Sequence, residues 1–363
     1  MIFTVRSPLI FGDVLGSDAS YHARAAETVL NGGLLYRDVP YTYPPLYAYT
    51  EALAIASLGN TVIGWKATAQ IYDFGTIILI YFIVNRISNR KNAAFSAIVY
   101  GFSPLPLVAT SSYASFDSTA VFWTMLSLLL LLLKKPLPSA VALGIGTAYK
   151  YFPLALLAVA IAYLSTKRQR LLYIVASIGT VAIIQLPFVL VEFNDWLSNV
   201  VLFHLYRAAE GATIYNLLSL HPQLWNVQTP LAILSPISLA LAFLLVAFSE
   251  SKSEISLLKN SAFILVSAVF FSKAVFFYAL WYIPLICMLL VTLKKRTSAL
   301  ILIPFLILQI ATIIGATIFY FESNLQLEFI TAYIYLAASG LLVAWLGYDR
   351  LVSAKKRSIQ SVG

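Results

Sequence analysis

Apolar residues occur along the chain in runs of helical length, separated by short polar connections that carry most of its charge. The runs lack the alternation over about ten residues that marks the strands of an outer-membrane barrel. A run of roughly 17 to 25 apolar residues is long enough to cross the hydrocarbon core of a membrane as a helix. The pattern therefore predicts an all-α polytopic membrane protein built as a helical bundle.

The pattern predicts eleven spans, two of which are short and form a hairpin with Lys150 at its tip. The run from Leu46 to Leu58 is too short to span, and counting it as a span would place every later basic connection on the wrong side. We therefore predict that it is an interfacial or re-entrant helix. The predicted spans are 66–85, 93–109, 118–133, 138–149, 152–165, 171–191, 230–248, 261–271, 279–293, 298–319 and 329–348.

The spans and connections indicate one transmembrane domain over residues 1–363, without an internal repeat. Its parts are an outer loop with interfacial helices (16–65), a membrane module (66–191), a second outer loop (192–229), C-terminal helices (230–348) and a basic cytoplasmic tail (349–363). The first 16 residues are too short to span, so a further spanning helix is expected upstream of Met1.

The composition supports the membrane assignment, and the charges give a topology. The chain is 60% hydrophobic and 11% charged, whereas soluble domains average about 45–50% and about 25%. Its net charge of +9 comes from basic residues concentrated in one set of connections, such as Lys134-Lys135 and Lys294-Lys295. The positive-inside rule makes these connections cytoplasmic. We therefore expect an integral protein of the plasma membrane with a cytoplasmic C-terminus and no nucleic-acid partner.

The segment from residue 16 to 47 is polar and glycine-containing, so it is expected to lie in water. Asp18 is predicted to cap a helix from Ala19 to Leu30, which ends at Asn31-Gly32-Gly33. Several tyrosines follow, and we expect them to form a belt at the membrane–water interface. These tyrosines are Tyr36, Tyr41, Tyr43, Tyr47 and Tyr49.

By this topology, acids, bases and aromatic residues converge on the outer face. A carboxylate can take a proton from a hydroxyl, and Lys and Arg can hold a phosphate, as transfer from a phosphorylated lipid requires. The candidate residues are Asp18, Tyr43, Asp117, Lys150, Arg207, Glu210, Lys273, Tyr278 and Trp281.

Several of these residues lie in motifs that resemble a known family. Asp18, Tyr21, Ala25-Ala26, Gly32-Gly33, Tyr36 and Tyr43-Pro44-Pro45-Leu46 together resemble the first outer loop of GT-C glycosyltransferases, particularly the polyprenyl-phosphate-mannose-dependent mannosyltransferases of the phosphatidylinositol-mannoside and GPI mannosyltransferase I types. Three later stretches extend the resemblance in the same order: GIGTAYKYFPLALL, FHLYRAAEGATIYNLL and FFSKAVFFYALWYIPL.

The resemblance implies roles for the candidate residues. Asp18 would be the general base that activates an acceptor hydroxyl, which displaces the lipid phosphate from the sugar with inversion. Lys150, Arg207 and Lys273 would bind the donor phosphate, and Asp117, Tyr43, Glu210, Tyr278 and Trp281 would contact substrate. The implied partners are a polyprenyl- or dolichyl-phosphate sugar, a lipid or glycan acceptor and membrane lipids. No cofactor is expected, because Gly16-Ser17-Asp18 stands where some members carry an Asp-x-Asp pair that bridges a metal.

Each candidate also has a structural explanation. Asp18 and Asp117 could be helix caps, with Asp13 an alternative base; Lys150 could extend to the interface from a hairpin tip, and Arg207 could pair with Glu210. Asp73 lies inside a predicted span, and this position favours a role in helix-to-helix contact over a role in catalysis. The three histidines lack the spacing of metal ligands.

Two other functions remain open from the sequence. One is a transporter or flippase of lipid-linked substrates, which would carry its ionisable residues near mid-membrane. The other is a noncatalytic subunit of a glycan assembly complex, which would tolerate loss of the acids.

Overall fold

The computed structural model describes residues 1–207, 228–249, 252–271, 276–321 and 325–360, and these are helical apart from connections and one isolated bridge, Leu35 to Val39. The first helices are α1 (Ile2–Ile10), α2 (Ser17–Leu30), α3 (Leu46–Leu58), α4 (Val62–Ile87), α5 (Arg90–Phe102), α6 (Pro104–Ser112, π-helical from Leu107), α7 (Asp117–Leu132), α8 (Pro136–Tyr149) and α9 (Phe152–Tyr163, with a 3₁₀ first turn). They are followed by α10 (Lys167–Val191), α11 (residues 193–206, with a π-helical centre at Leu197–Leu202), α12 (Gln228–Ala247), α13 (Glu254–Phe270), the 3₁₀ turn Phe276–Trp281, α14 (Ile283–Thr292), α15 (Lys295–Phe321) and α16 (Leu325–Gln360).

The protein is an integral membrane protein. Within the described residues, four helices are long and apolar enough to cross a membrane: α4, α10, and the segments Thr297–Ala316 of α15 and Ile330–Arg350 of α16. The pair α5 and α6 makes a fifth candidate, bent by 47°. The predicted total of eleven spans is not confirmed, because several apolar helices, including α7 and α14, have only 10 to 17 residues.

Helices α4, α7, α8 and α10 pack side by side and form the framework around the site. Helix α8 lies very close to both of its neighbours, which explains its glycines. A Cβ atom at Gly144 would lie 2.6 Å from the carbonyl oxygen of Ser177 on α10, and one at Gly146 would lie 2.9 Å from the Cβ of Trp123 on α7. The glycine-rich part of the GIGTAYKYFP stretch therefore allows α8 to pack between α7 and α10.

Helix α1 is held to the framework by buried polar contacts. Arg6 forms a fully buried ion pair with Asp73 of α4, and the Tyr100 hydroxyl donates a 2.6 Å hydrogen bond to the same carboxylate. Lys66 donates hydrogen bonds of 2.6 and 2.7 Å to the carbonyl oxygens of Leu9 and Gly12. Asp73 thus makes the helix-to-helix contact that its position inside an apolar run predicted.

Several predicted element boundaries agree with the structure. The predicted short helix Leu46–Leu58 is α3, and the predicted hairpin corresponds to α8 and α9 with Lys150 between them. The N-cap of α2 is Gly16, two residues before the predicted Asp18, and the N-cap of α7 is Phe116, one residue before Asp117. Asp18 and Asp117 therefore lie in the first turns of their helices, where a carboxylate is favourable beside the helix N-terminus.

The predicted tyrosine belt is wrong for four of its five members. Tyr36, Tyr41, Tyr43 and Tyr47 are buried in the main core, and of the five only Tyr49 is exposed. The amphipathic ring of tyrosine suits the membrane interface. Here, however, the rings pack on one another and on residues from α2 and the segment before α7. These four buried tyrosines form an aromatic cluster next to the site described below.

Candidate active site

A buried ion pair joins the C-terminal end of α8 to the N-terminal end of α7. Lys150 lies in the break between α8 and α9, and Asp117 is the first residue of α7. The Lys150 Nζ lies 2.6 Å from Asp117 Oδ1, and the two residues are 6% and 3% exposed. Because two buried charges are stable only when paired, each residue holds the other in place.

Asp117 has two further partners that fix its carboxylate. The Trp281 indole N–H donates a 2.6 Å hydrogen bond to Oδ1, and the Ser115 hydroxyl donates a 3.0 Å hydrogen bond to Oδ2. Trp281 comes from the 3₁₀ turn before α14, so the carboxylate links segments that are 164 residues apart. The structure brings Asp117 and Trp281 into contact with each other, and their contact with substrate stays a prediction.

Aromatic rings surround the Lys150 ammonium, and we call this group the cation cage: Tyr43, Phe116, Tyr278 and Trp281. The Nζ atom lies 4.1 Å from the ring centre of Tyr278, 4.2 Å from Phe116 and 5.5 Å from both Tyr43 and Trp281. The negative faces of such rings stabilise a cation, more so when water is excluded. The cage therefore provides a favourable surrounding for a cation at a buried position.

The cage rings are engaged with Lys150 and with one another. Trp281 stacks on Phe152 with ring centres 4.1 Å apart and on Tyr278 at 4.4 Å. Burial raises the pKa of the Tyr43 and Tyr278 hydroxyls, so both remain protonated. Tyr43, Tyr278 and Trp281 were predicted as substrate contacts; the structure shows that they build the surroundings of Lys150.

Arg207 brings a second cation to the cage. It lies at the end of α11, is partly exposed, and hydrogen bonds to the Tyr278 side chain. Its guanidinium carbon lies 5.8 Å from the Phe203 ring centre. Two of the three cations predicted to bind phosphate, Lys150 and Arg207, therefore contact the same tyrosine. The third, Lys273, and the predicted substrate residue Glu210 lie outside the described residues.

Asp18 is exposed and lies in the first turn of α2. The backbone N–H of Gly16 donates a 3.1 Å hydrogen bond to the Tyr113 carbonyl, which places the start of α2 against the segment that leads to Asp117. A Cβ at Gly16 would lie 3.0 Å from that carbonyl oxygen, so the close approach favours glycine. The charge of Asp18 acts on the hydroxyls of Tyr43 and Tyr278, two rings of the cage. Asp18, Lys150 and Arg207 therefore all act on Tyr278.

The sequence analysis missed His22, which is buried on the face of α2 that packs against the cage. Its ring lies 4.3 Å from Phe116 and 4.8 Å from Tyr47, and Nδ1 lies 3.0 Å from the Tyr41 hydroxyl. Burial, and secondly the charge of Lys150, lower the pKa of His22 to about 3, so the imidazole is neutral. The available signal was its spacing, four residues after Asp18.

Beside the cage lies an apolar cavity of about 450 Å³. The imidazole of His204 separates it from Tyr43, with ring centres 6.1 Å apart, and its Nε2 lies 2.6 Å from the Thr42 carbonyl oxygen. The cavity is lined by Tyr151, Gln185, Trp196, Val200, Val201, His204 and Leu205. In the described part of the chain, no three His, Cys, Asp or Glu side chains form a metal-ligand cluster.

Glu51 on α3 is another buried acid, and it contacts Tyr47 of the aromatic cluster. Its carboxyl group is 1% exposed and hydrogen bonds to Tyr47 and Thr68, and burial raises its pKa to about 7. Between pH 4.5 and 7 the folded protein keeps a proton that the unfolded chain releases, so stability is expected to fall as the pH rises through this interval and to level off above it. The total loss is on the order of 3 kcal/mol.

Glu51→Gln should remove this pH dependence, because the amide does not titrate. The measurement is thermal unfolding of the wild type and E51Q in detergent at several pH values from 4.5 to 8. Glu254→Gln, at a partly exposed carboxylate paired with Arg86, is the matched control and should keep the wild-type slope. An E51Q slope equal to that of the wild type would contradict the assignment.

Two solved structures of another membrane protein are similar to this chain in fold. ArnT from Cupriavidus metallidurans bound to undecaprenyl phosphate matches with a TM-score of 0.59 and 13% identity, over 96% of this chain and 77% of ArnT. The apo form of the same protein matches with a TM-score of 0.56 and 14% identity, over 96% and 75%. Over 96% of its length the chain therefore has the fold of ArnT.

The sequence places it in a particular family. The profile of glycosyltransferase family 87 matches residues 41–277, which is more than half of the chain, so the protein belongs to this family. Asp18 lies before the matched region, whereas Lys150, Arg207 and Lys273 lie inside it. Comparison with curated proteins finds no sequence match.

Proposed function

We propose that the protein transfers a hexose from a polyprenyl-phosphate sugar to a hydroxyl of a lipid-linked or membrane-proximal acceptor. The observation that carries the proposal is the arrangement of charges: the exposed carboxylate of Asp18 acts electrostatically on Tyr43 and Tyr278, two rings of a cage that holds one cation and contacts a second. A base beside cations is the pair of groups that glycosyl transfer from a phosphate needs.

Arg207 and Lys150 stabilise the phosphate of the donor. Arg207 is the more accessible and can bind two phosphate oxygens through its planar guanidinium group. Lys150 is paired with Asp117, but an ammonium group has three N–H donors, so further donors remain for a phosphate oxygen. Lys273 is proposed as a third contact on the basis of its motif alone.

The reaction balances with these groups. Asp18 takes the proton of the acceptor hydroxyl, and the acceptor oxygen attacks the anomeric carbon of the sugar. The bond between that carbon and the phosphate oxygen breaks, and the electron pair leaves with the lipid phosphate, which the cations stabilise. Attack opposite to the leaving group inverts the anomeric centre. No metal or other cofactor is needed in this scheme.

The substrates are inferred from the resemblance and from a solved structure. Undecaprenyl phosphate is bound in the ArnT structure, which supports a polyprenyl-phosphate carrier here. Mannose is proposed from the motifs around Asp18 and Tyr43. The apolar cavity beside His204 gives the donor's isoprenoid chain a place next to the cage.

The side of the membrane is inferred from the basic connections. They are proposed to face the cytoplasm together with the C-terminus, which puts Asp18 and the cage on the extracytoplasmic face of the plasma membrane. Access from that face suits a donor and an acceptor that are both carried by lipids.

Transfer by the purified protein in nanodiscs tests the proposal. The donors are labelled polyprenyl-phosphate mannose, polyprenyl-phosphate glucose and the corresponding nucleotide sugars, each with candidate acceptor lipids. We expect label on an acceptor from a polyprenyl-phosphate donor, with mannose preferred, and none from nucleotide sugars. Transfer from nucleotide sugars, or movement of the donor across the bilayer without transfer, would contradict the proposed function.

A further inference from the structure

The proposed reaction gives no role to His22, although this residue shares a helix face with the proposed base. Asp18 and His22 are four residues apart on α2, so their side chains project from the same side of the helix. Asp18 is exposed, whereas His22 is 1% exposed. One face of α2 therefore carries the base at its open end and a buried imidazole one turn later.

A single ring separates His22 from the buried ion pair. The His22 ring centre lies 4.3 Å from that of Phe116, and the Phe116 ring centre lies 4.2 Å from the Lys150 Nζ. Phe116 is also the residue directly before Asp117. Any shift of α2 across this contact moves Asp18 relative to both charged partners of the cage.

A directional contact adds to this packing. The Nδ1 of His22 lies 3.0 Å from the hydroxyl of Tyr41, which is fully buried. Ring contacts tolerate small rotations of a helix, whereas a buried hydrogen bond sets both a distance and an angle. The imidazole is neutral because burial disfavours its charged form, so it makes this bond without exchanging a proton near neutral pH.

We propose that His22 is a positioning residue for sugar transfer: its hydrogen bond to Tyr41 and its contact with Phe116 fix the rotation of α2 and thereby the position of Asp18 relative to the cation cage. The inference rests on the proposed function, because it takes Asp18 as the base. A misplacement of about 1 Å at a reacting group costs up to about 100-fold in rate. His22 thus acts through Asp18 and does not touch substrate.

Two single variants and their combination test the hydrogen bond from both sides. His22→Phe fills the same space without Nδ1, and Tyr41→Phe removes the hydroxyl. We expect kcat to fall by about 10- to 100-fold in each, with the KM for donor changed by less than about threefold. The double variant should be no slower than the slower single variant, because both remove one interaction.

Two further readouts separate positioning from acid–base catalysis and from general stability. The pH profile of kcat should keep its shape in H22F and change only in height, since a neutral His22 does not titrate. His22→Asn, which restores a polar atom near the Nδ1 position, should recover part of the lost kcat. Tyr173→Phe is the matched control, because it removes a buried tyrosine hydroxyl bonded to Ser127 and Ser139 among α7, α8 and α10. It should lower the melting temperature and leave kcat unchanged.

The outcomes distinguish this inference from the proposed function. If H22F does not fold, Y41F carries the same test. A kcat of Y41F within twofold of the wild-type value would overturn the positioning role alone. A flattened pH profile in H22F would do the same. A Y173F variant as slow as Y41F would overturn it too, since any buried hydroxyl would then matter equally. Absence of wild-type transfer from every polyprenyl-phosphate donor would instead overturn the proposed function.

Discussion

Asp18→Asn is expected to lower kcat for sugar transfer by about 10²- to 10⁴-fold, the contribution of a general base. The amide is nearly isosteric with the carboxylate but cannot take the acceptor's proton. Because Asp18 is exposed, the change should leave the melting temperature within a few degrees of the wild type. The KM for donor should change little, since the cations that hold the phosphate remain. The measurement is steady-state transfer in nanodiscs with both substrates varied.

Asp13→Asn is the matched control for Asp18. Asp13 is also exposed and lies five residues before Asp18, but its charge acts on Lys66 of α4. D13N should therefore keep most of the wild-type kcat. A severe loss in D13N together with activity in D18N would transfer the role of base to Asp13. Equal activity in both variants and the wild type would contradict carboxylate catalysis and favour a noncatalytic subunit.

Lys150→Met is expected to have the second large effect, and it should affect both stability and activity. Without the ammonium, Asp117 keeps a buried charge that has lost its counter-ion, which costs about 3 to 5 kcal/mol. The donor phosphate also loses a cation, and removing one such preorganised group costs about 10²- to 10³-fold in turnover. Thermal unfolding and kcat/KM, measured on the same preparation, report the two effects.

The double variant Asp117→Asn/Lys150→Met separates the loss of stability from the loss of turnover. With both charges removed, the buried charge penalty disappears, and most of the lost melting temperature should return. The transfer activity should stay low, because the phosphate still lacks its cation. If the double variant regained wild-type turnover, the pair would be a structural contact and Lys150 would have no role at the phosphate.

Local features of this chain were predictable from sequence. The bounds of α3 follow from one apolar run, and the α8–α9 hairpin follows from basic residues on both of its sides. The membrane assignment follows from composition. The number of spans did not follow in the same way, because runs of 10 to 17 apolar residues, such as that of α7, have the composition of a span without its length.

The site was predictable as a set of residues but not as a set of contacts. The predicted topology placed Asp117, Lys150 and Trp281 on the same face, yet the ion pair and the indole hydrogen bond depend on how α7, α8 and the 3₁₀ turn pack. The four buried tyrosines were assigned to the membrane interface because an amphipathic ring suits that region. His22 was overlooked because a lone histidine on a polar helix carries no motif, and its role depends on Tyr41 and Phe116 reaching it from other segments.

A structure of the D18N variant with a polyprenyl-phosphate sugar bound tests the central claim most directly. This variant should hold the donor without turning it over. We expect the phosphate to lie against Arg207 and beside the cation cage, with the anomeric carbon facing the side chain at position 18. A donor phosphate bound elsewhere, with the side chain at position 18 beyond reach of the sugar, would contradict it.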